Sequence, residues 1–443
     1  MPGIVLWFLV IAGILGWITF LIHKSVDITW LHNIIKWLVI ALPFERIPSL
    51  SLGNSNIRIS QILTLVGVYL TIILIFKKDQ RVLKTKLNST IYLSLAFFAL
   101  SLPAMFFVKE FDRYFITEIG TVVCFMAAIL ISHLGNNLTQ RIKELMISMV
   151  GVSIFGVYQF FGDLAGLPIT LTGLREQYTK IVFGFPRIQG TAIEPLYFAG
   201  MLFVPIFLIL SKFLLEKNTF NAKFKNILLA LFLIIVFVLT LSKGAWLAFI
   251  IGFVLFGIMQ RRAIWRIFKT LRITQIFQVT TLLALILVLG YFLFPQFQTG
   301  INTTIEHLQT TISGEATTIV ERDRFVEKAL DLIPGNALTG LGSGQYGTYF
   351  SQGADGGYLI VNNVYLEVWL EHGFLAFLAF IVFLVLPLYR IYSSKQYLEN
   401  WIISGLFFGL ITYYLQWFTF SPVFIMPIFI LIGLANMKLE VSD

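Results

Sequence analysis

The sequence predicts an all-α polytopic membrane protein with twelve or thirteen transmembrane helices and one large extracytoplasmic loop. Three observations predict it. Of 443 residues, 58% are hydrophobic and 12% charged, with mean hydropathy +0.85, which is too apolar for a water-soluble domain of this size. The apolar residues fall in repeated runs of about 20, the length a helix needs to cross hydrocarbon. These runs do not alternate every second residue as barrel strands do, so helices must satisfy the backbone inside lipid.

Taken in order, the runs place helices at about Ile4–Ile22, Ile28–Leu42, Ile57–Phe76, Thr90–Val108, Tyr114–His133, Ile142–Phe161, Ile193–Lys212, Phe224–Leu241, Ala245–Met259, Gln275–Phe294, Val364–Arg390, Trp401–Trp417 and Val423–Met437. Lys36 interrupts the second run, which leaves the count at twelve or thirteen. The first run has no basic stretch before it and no small-residue cleavage site after it, so it reads as a retained helix. Cys124 is the single cysteine and lies inside a run; it reads as a packing residue, with no disulfide within these residues.

Lys and Arg set the expected orientation. Lys77, Lys78, Arg81, Lys84 and Lys86, Arg141–Lys143, Lys212–Lys225, Arg261–Arg272, Arg390–Lys395 and Lys438 all fall on one face under these spans, which makes that face cytoplasmic. Much of the +9 net charge sits there. It reads as topology with contact to membrane lipids, and not as a nucleic-acid surface.

The polar residues gather on the other face, in loops Gly162–Ile193 and Pro295–Asn363. Long loops of this kind tend to carry function. Within the larger, Val320, Phe325, Val326, Ala329, Leu330 and Ile333 recur at helical spacing beside Arg322, Asp323, Arg324, Glu327 and Lys328, which predicts an amphipathic surface helix. It walls a site or simply packs on the bundle. Gly342-Ser343-Gly344-Gln345-Tyr346-Gly347 has the spacing of a dinucleotide loop, but neither the strand nor the helix that such a loop requires flanks it. A tight turn that lets backbone approach a neighbour stays open.

Arg187 and Glu194 stand at or just below the outer interface, where ionisable groups are costly unless paired or wetted. They are candidate site residues or a mutual structural pair. Lys243, in the hairpin Leu241-Ser242-Lys243-Gly244-Ala245-Trp246, is a site cation or a snorkelling one. Tyr178, Tyr346, Tyr349 and Tyr358 either stack on sugar rings or anchor the interface.

These residues resemble the O-antigen ligase and O-antigen polymerase superfamily. The likeness rests on Arg187-x-x-Gly190-Thr191-x-x-Glu194-Pro195, the Leu239–Trp246 hairpin, and the return from Pro334 and Gly340-x-Gly342-x-Gly344 to Asn363-x-x-Leu366-Glu367-x-x-x-Glu371-x-Gly373. The early Leu42-Pro43-Phe44-Glu45-Arg46-Ile47-Pro48 adds to it. It covers the whole chain, 1–443, as one transmembrane domain and is sharpest over 185–380, with 295–363 as the large outer loop.

The resemblance implies an inverting membrane glycosyltransferase of the GT-C type, using neither metal nor nucleotide sugar. Such enzymes take a glycan from undecaprenyl pyrophosphate at the outer leaflet of the bacterial cytoplasmic membrane and pass it to a hydroxyl on a glycan, lipid or protein acceptor. A departing diphosphate needs fixed cations, and the fork of arginine suits its oxygens. The resemblance gives that role to Arg187 and to Arg322 or Arg324. Lys243 stands where the family has arginine, keeping the charge without the fork. Asn362 stands where the family has histidine, and an amide cannot take up a proton. Glu194 then serves as base, or positioning by Asn362 and Asn363 and leaving-group binding carry the reaction. His372, about ten residues into the same predicted helix and so roughly 15 Å deeper, reads as a packed residue.

Two other readings stay open. A glycolipid or solute carrier would show internal repeats and midplane charges. A non-catalytic relative that binds lipid-linked glycan would tolerate Asn362.

Overall fold

The computed structural model describes residues 25–52, 55–83, 88–174, 185–216, 220–270, 317–350, 360–420 and 425–437. Helices occupy eleven of the thirteen expected runs, and seven of these are long and apolar enough to cross a membrane; the runs Ile4–Ile22 and Gln275–Phe294 lie outside the described residues, as do Tyr178 and Tyr358. The chain is an all-α polytopic membrane protein.

Among the described residues seven helices are long and apolar enough to cross a membrane: α2 (Ile59–Phe76), α3 (Ser89–Ser101, continued by a 3₁₀ segment Leu102–Phe107), α4 (Phe111–Leu134), α5 (Leu138–Leu164), α6 (Pro195–Leu215), α12 (Phe374–Ser394) and α13 (Trp401–Gln416, continued by a 3₁₀ turn to Thr419); α1 (Ile28–Ile40), α7 (Phe220–Leu239), α8 (Lys243–Met259) and α14 (Met426–Ala435) are shorter apolar helices. Between them come α9 (Arg261–Thr270), α10 (Thr317–Asn336) and α11 (Val364–His372). Caps set several boundaries: the side chains of Asp27, Asn88, Asn137 and Asn400 accept backbone amides in the first turns of α1, α3, α5 and α13. A small antiparallel hairpin, β1 (Ser49–Leu52) with β2 (Ser55–Arg58), precedes α2.

Packing follows the small residues. α6 and α13 lie against each other because Gly405 and Gly409, four residues apart on α13, carry no side chain. A Cβ on Gly405 would stand 2.5 Å from the Leu208 Cα, and one on Gly409 would stand 2.6 Å from the Val204 Cα. α4 packs on α14, and α3 on α12. Phenylalanines fill the remaining volume: the Phe125 ring lies 5.0, 4.8 and 4.9 Å from those of Phe97, Phe383 and Phe429. Phe207 lies 5.7 and 5.5 Å from Phe249 and Phe256. Much of the aromatic content is therefore core. Cys124 is buried and free, in its expected packing role.

The two ends of the bundle differ in chemistry. At one, Lys77 donates to the Val26 carbonyl, Asn136 meets His32 and Gln260 donates to the Tyr397 carbonyl, so the connections carrying Lys77, Arg81, Arg141, Arg261, Arg390 and Lys395 share that end. This is the segregation of charge that the sequence predicts. At the opposite end lie the loop Leu42–Pro48, the β-hairpin, the segment Phe185–Glu194, the α7–α8 turn and the return from α10 to α12.

One expected span is two pieces. The run Val364–Arg390 breaks at Gly373, which has φ +83°, between α11 and α12. A side chain at Gly373 would collide with the Leu338 carbonyl, so only glycine lets the α10 exit cross here. His372 therefore ends a short helix of its own, and is not a residue deep within a continuous span.

Candidate active site

Two knots of polar contacts build the end opposite the basic connections. The first ties three distant segments together. Arg46 donates its backbone amide to the Thr191 carbonyl at 2.9 Å, and its guanidinium reaches the carbonyls of Gly173 and Ala192. Thr191 donates its hydroxyl to the Pro43 carbonyl at 2.6 Å. Behind them Gln159 of α5, fully buried, accepts the amides of Gln189 and Gly190 at 3.3 and 2.8 Å and donates to the carbonyls of Thr172 and Gly190. The Phe185–Glu194 segment has no ladder of its own, so these side chains give it shape.

That segment in turn meets the α7–α8 turn. Ile188 donates its amide to the Leu239 carbonyl at 3.2 Å, and Arg187 Nε donates to the Thr240 carbonyl at 3.4 Å. The turn is sharp, with Leu241 at φ +49°, and it delivers Lys243 as the first residue of α8, exposed. Arg187 and Lys243 thus stand on two strands of one joint.

Glu194 heads α6, and with Glu45, Arg58 and Glu367 it acts electrostatically on the buried Tyr197. Arg58 Nη1 lies 3.8 Å from Glu45 Oε1. Burial pushes the Glu45 carboxyl up to about 7, against the pull of Arg58.

The second knot organises the return loop. The Gly342–Gly347 turn wraps a carboxylate: Glu371 accepts the amides of Gly344 at 2.7 Å and Tyr346 at 3.0 Å. Ser343 donates to Glu118 of α4 and, 3.3 Å away, faces His372 Nε2. Gln345 accepts the amides of Lys109 and Glu110 at 3.0 and 2.9 Å. The amides of Gly342, Gly344, Gln345 and Tyr346 are all bound within the protein, so the turn closes on Glu371.

The expected site residues meet different fates. Arg187 and Lys243 share the joint just described. Asn362 sits at φ +59°, in left-handed backbone that asparagine tolerates. Asn363 caps α11, accepting the Leu366 amide at 3.1 Å. Tyr346, expected against sugar, is buried with 2% exposure, and its hydroxyl donates to the Phe325 carbonyl at 2.8 Å; it holds α10 in place and presents no face to a ligand. α10 confirms the amphipathic helix, though with Ala329, Leu332 and Ile333 inward and Leu330 outward. Arg324 is exposed on α10; Arg322 belongs to the same helix, and its side chain lies outside the described residues. Among the described residues no group of acidic, histidine or cysteine side chains has the closeness to hold a metal ion.

The sequence reasoning missed Gln159, Arg58 and Glu118, and it named Glu371 only within the return motif, without a role. Gln159 had a signal: a lone amide in the apolar run Ile154–Phe161 needs partners. The others declare themselves only through contacts across long sequence separations.

An all-helical bundle with a structured return loop at the end away from its basic connections defines a class of multi-pass membrane protein. Residues 228–381 match the family model described as O-antigen ligase. The match supports the O-antigen ligase and polymerase superfamily for this chain. It supports a membrane glycosyltransferase-like role in polysaccharide biosynthesis, with a lipid-linked glycan as the class of substrate. No curated protein matches the chain.

Proposed function

We propose that this protein transfers a glycan from undecaprenyl pyrophosphate to a hydroxyl acceptor, as polymerase or ligase, at the end of the bundle opposite its basic connections. That end is then the extracytoplasmic one in a bacterial cytoplasmic membrane. The observation that carries the reading is the joint at which Arg187, bonded to the Thr240 carbonyl, stands beside the turn that presents Lys243. Two cations on a fixed backbone suit a diphosphate whose charge grows as the glycosidic bond breaks. Arg324, exposed on α10, is a further cation at the same end.

The chemistry is a single displacement. The acceptor hydroxyl attacks the anomeric carbon, the bond to the diphosphate oxygen breaks, and undecaprenyl pyrophosphate leaves with the electron pair. The hydroxyl proton passes to Glu194, half-buried at the head of α6. Asn362 and Asn363 position the acceptor.

The test replaces Arg187 and Arg322 by alanine and measures surface glycan chain length together with lipid-linked donor. Shortened or absent glycan with accumulating donor is expected. Unchanged glycan and no accumulation would overturn the reading.

A further inference from the structure

We propose that Arg58, held by the enclosed carboxyl of Glu45, is an additional pyrophosphate-binding residue at this end of the bundle, and that Glu45 is the positioning residue that governs how free its guanidinium is. The ligand class, a polyprenyl pyrophosphate, rests on the reading given above. Both residues precede the matched family domain, which begins at residue 228.

The geometry is specific. Arg58 ends β2, and its amide donates to Gln61 Oε1 at 2.9 Å, which fixes the backbone where the hairpin enters α2. Its side chain is 21% exposed, while that of Glu45 is 1% exposed. At 3.8 Å the two form an ion pair without a hydrogen bond, and among the described residues neither Glu45 oxygen has a hydrogen-bond partner, although the Ile193 amide points toward it. The guanidinium therefore spends no N–H group on Glu45, and the part of its side chain that stays exposed is what an anion would meet.

The groups around Glu45 come from several elements: Arg58 from β2, Glu194 and Tyr197 from α6, Tyr413 from α13 and Cys124 from α4. Arg58 is the cation among them. With Glu45 protonated, the charge of Arg58 is uncompensated and attracts a diphosphate. With Glu45 ionised, the carboxylate holds it. Because burial sets the Glu45 carboxyl at about 7, pyrophosphate affinity falls as pH rises through neutrality.

The experiment measures binding of undecaprenyl pyrophosphate, and of inorganic pyrophosphate as the headgroup alone, to the full chain in nanodiscs across about pH 6 to 8, a window bracketing that value. Arg58→Gln should weaken binding about tenfold or more, as loss of a charge-assisted contact does, with Arg58→Lys recovering part. Glu45→Gln, which keeps shape and removes the titration, should flatten the pH dependence seen for the native chain. Full-strength binding by folded Arg58→Gln overturns the proposal, and so does a Glu45→Gln profile that follows the native one. If Arg58→Gln does not fold, the Glu45→Gln profile decides. Arg187→Ala separates the two readings: weakened binding there with none at Arg58 removes this inference and leaves the transferase reading standing. Undiminished binding in both variants removes both.

Discussion

Glu371 and Gly344 are joined by a 2.7 Å hydrogen bond from a turn amide to a buried carboxylate, and the second oxygen of Glu371 takes the Tyr346 amide. One side chain of α11 thus shapes the return loop. Glu371→Ala leaves two buried amides without acceptors and should destabilise the protein by about 3 kcal/mol. Limited proteolysis should cut the 340–349 turn in the variant and spare it in the native chain. Equal resistance would remove this role.

Lys243 offers charge without a fork. Lys243→Arg should keep or raise the transfer rate, whereas Lys243→Ala should lower it about tenfold or more, the effect of deleting one charge-assisted contact. Steady-state transfer with a purified lipid-linked donor checks both. Arginine performing no better than alanine would detach Lys243 from the donor.

Glu194→Gln should lower the rate about a hundredfold or more while donor binding holds, the size of a lost proton acceptor. Asn362→His should fold normally, because histidine, like asparagine, tolerates the left-handed backbone at φ +59°. A silent native chain made active by histidine at 362 would point instead to a relative that binds lipid-linked glycan without reacting it.

The Glu45 carboxyl titrates near 7 in the folded chain, against an ordinary value of 4.5. A raised value means that the folded state holds the proton more tightly than the unfolded one. The stability this contributes is full below about 4.5 and is lost as pH rises through about 7. Glu45→Gln should flatten that part of the stability–pH curve, read as thermal midpoints in detergent. An unchanged slope would assign it to another group.

Gly409→Leu should part α6 from α13 and destabilise the bundle by about 1–3 kcal/mol, the usual range for overpacking a close contact. The clash includes the Val204 Cα, so trimming the Val204 side chain should not restore the native stability.

The spans were legible because lipid allows few alternatives: an apolar run of helical length has one way to satisfy its backbone. The charged connections gave the ends. The break at Gly373 was hidden because apolar residues continue on both sides of it, and hydropathy does not register a carbonyl crossing from Leu338. The hairpin at Ser49–Arg58 had a signal, polar and apolar residues alternating about Gly53-Asn54, but Ile57 also opens the apolar run of α2. Arg187 and Lys243 stood out as costly charges near an interface. Tyr346 fell in an outer loop and Glu371 within an expected span, and only the fold, by closing α10 over the one and a turn over the other, shows both to be interior.

The Arg46 clamp on Gly173 and Ala192, together with the Gln345 bonds to Lys109 and Glu110, sews early helices to late loops. A chimera that exchanges only residues 228–381 with a relative would carry the return loop without its moorings. Grafting a new acceptor preference would require residues 42–58, 109–118 and 185–194 to travel with it.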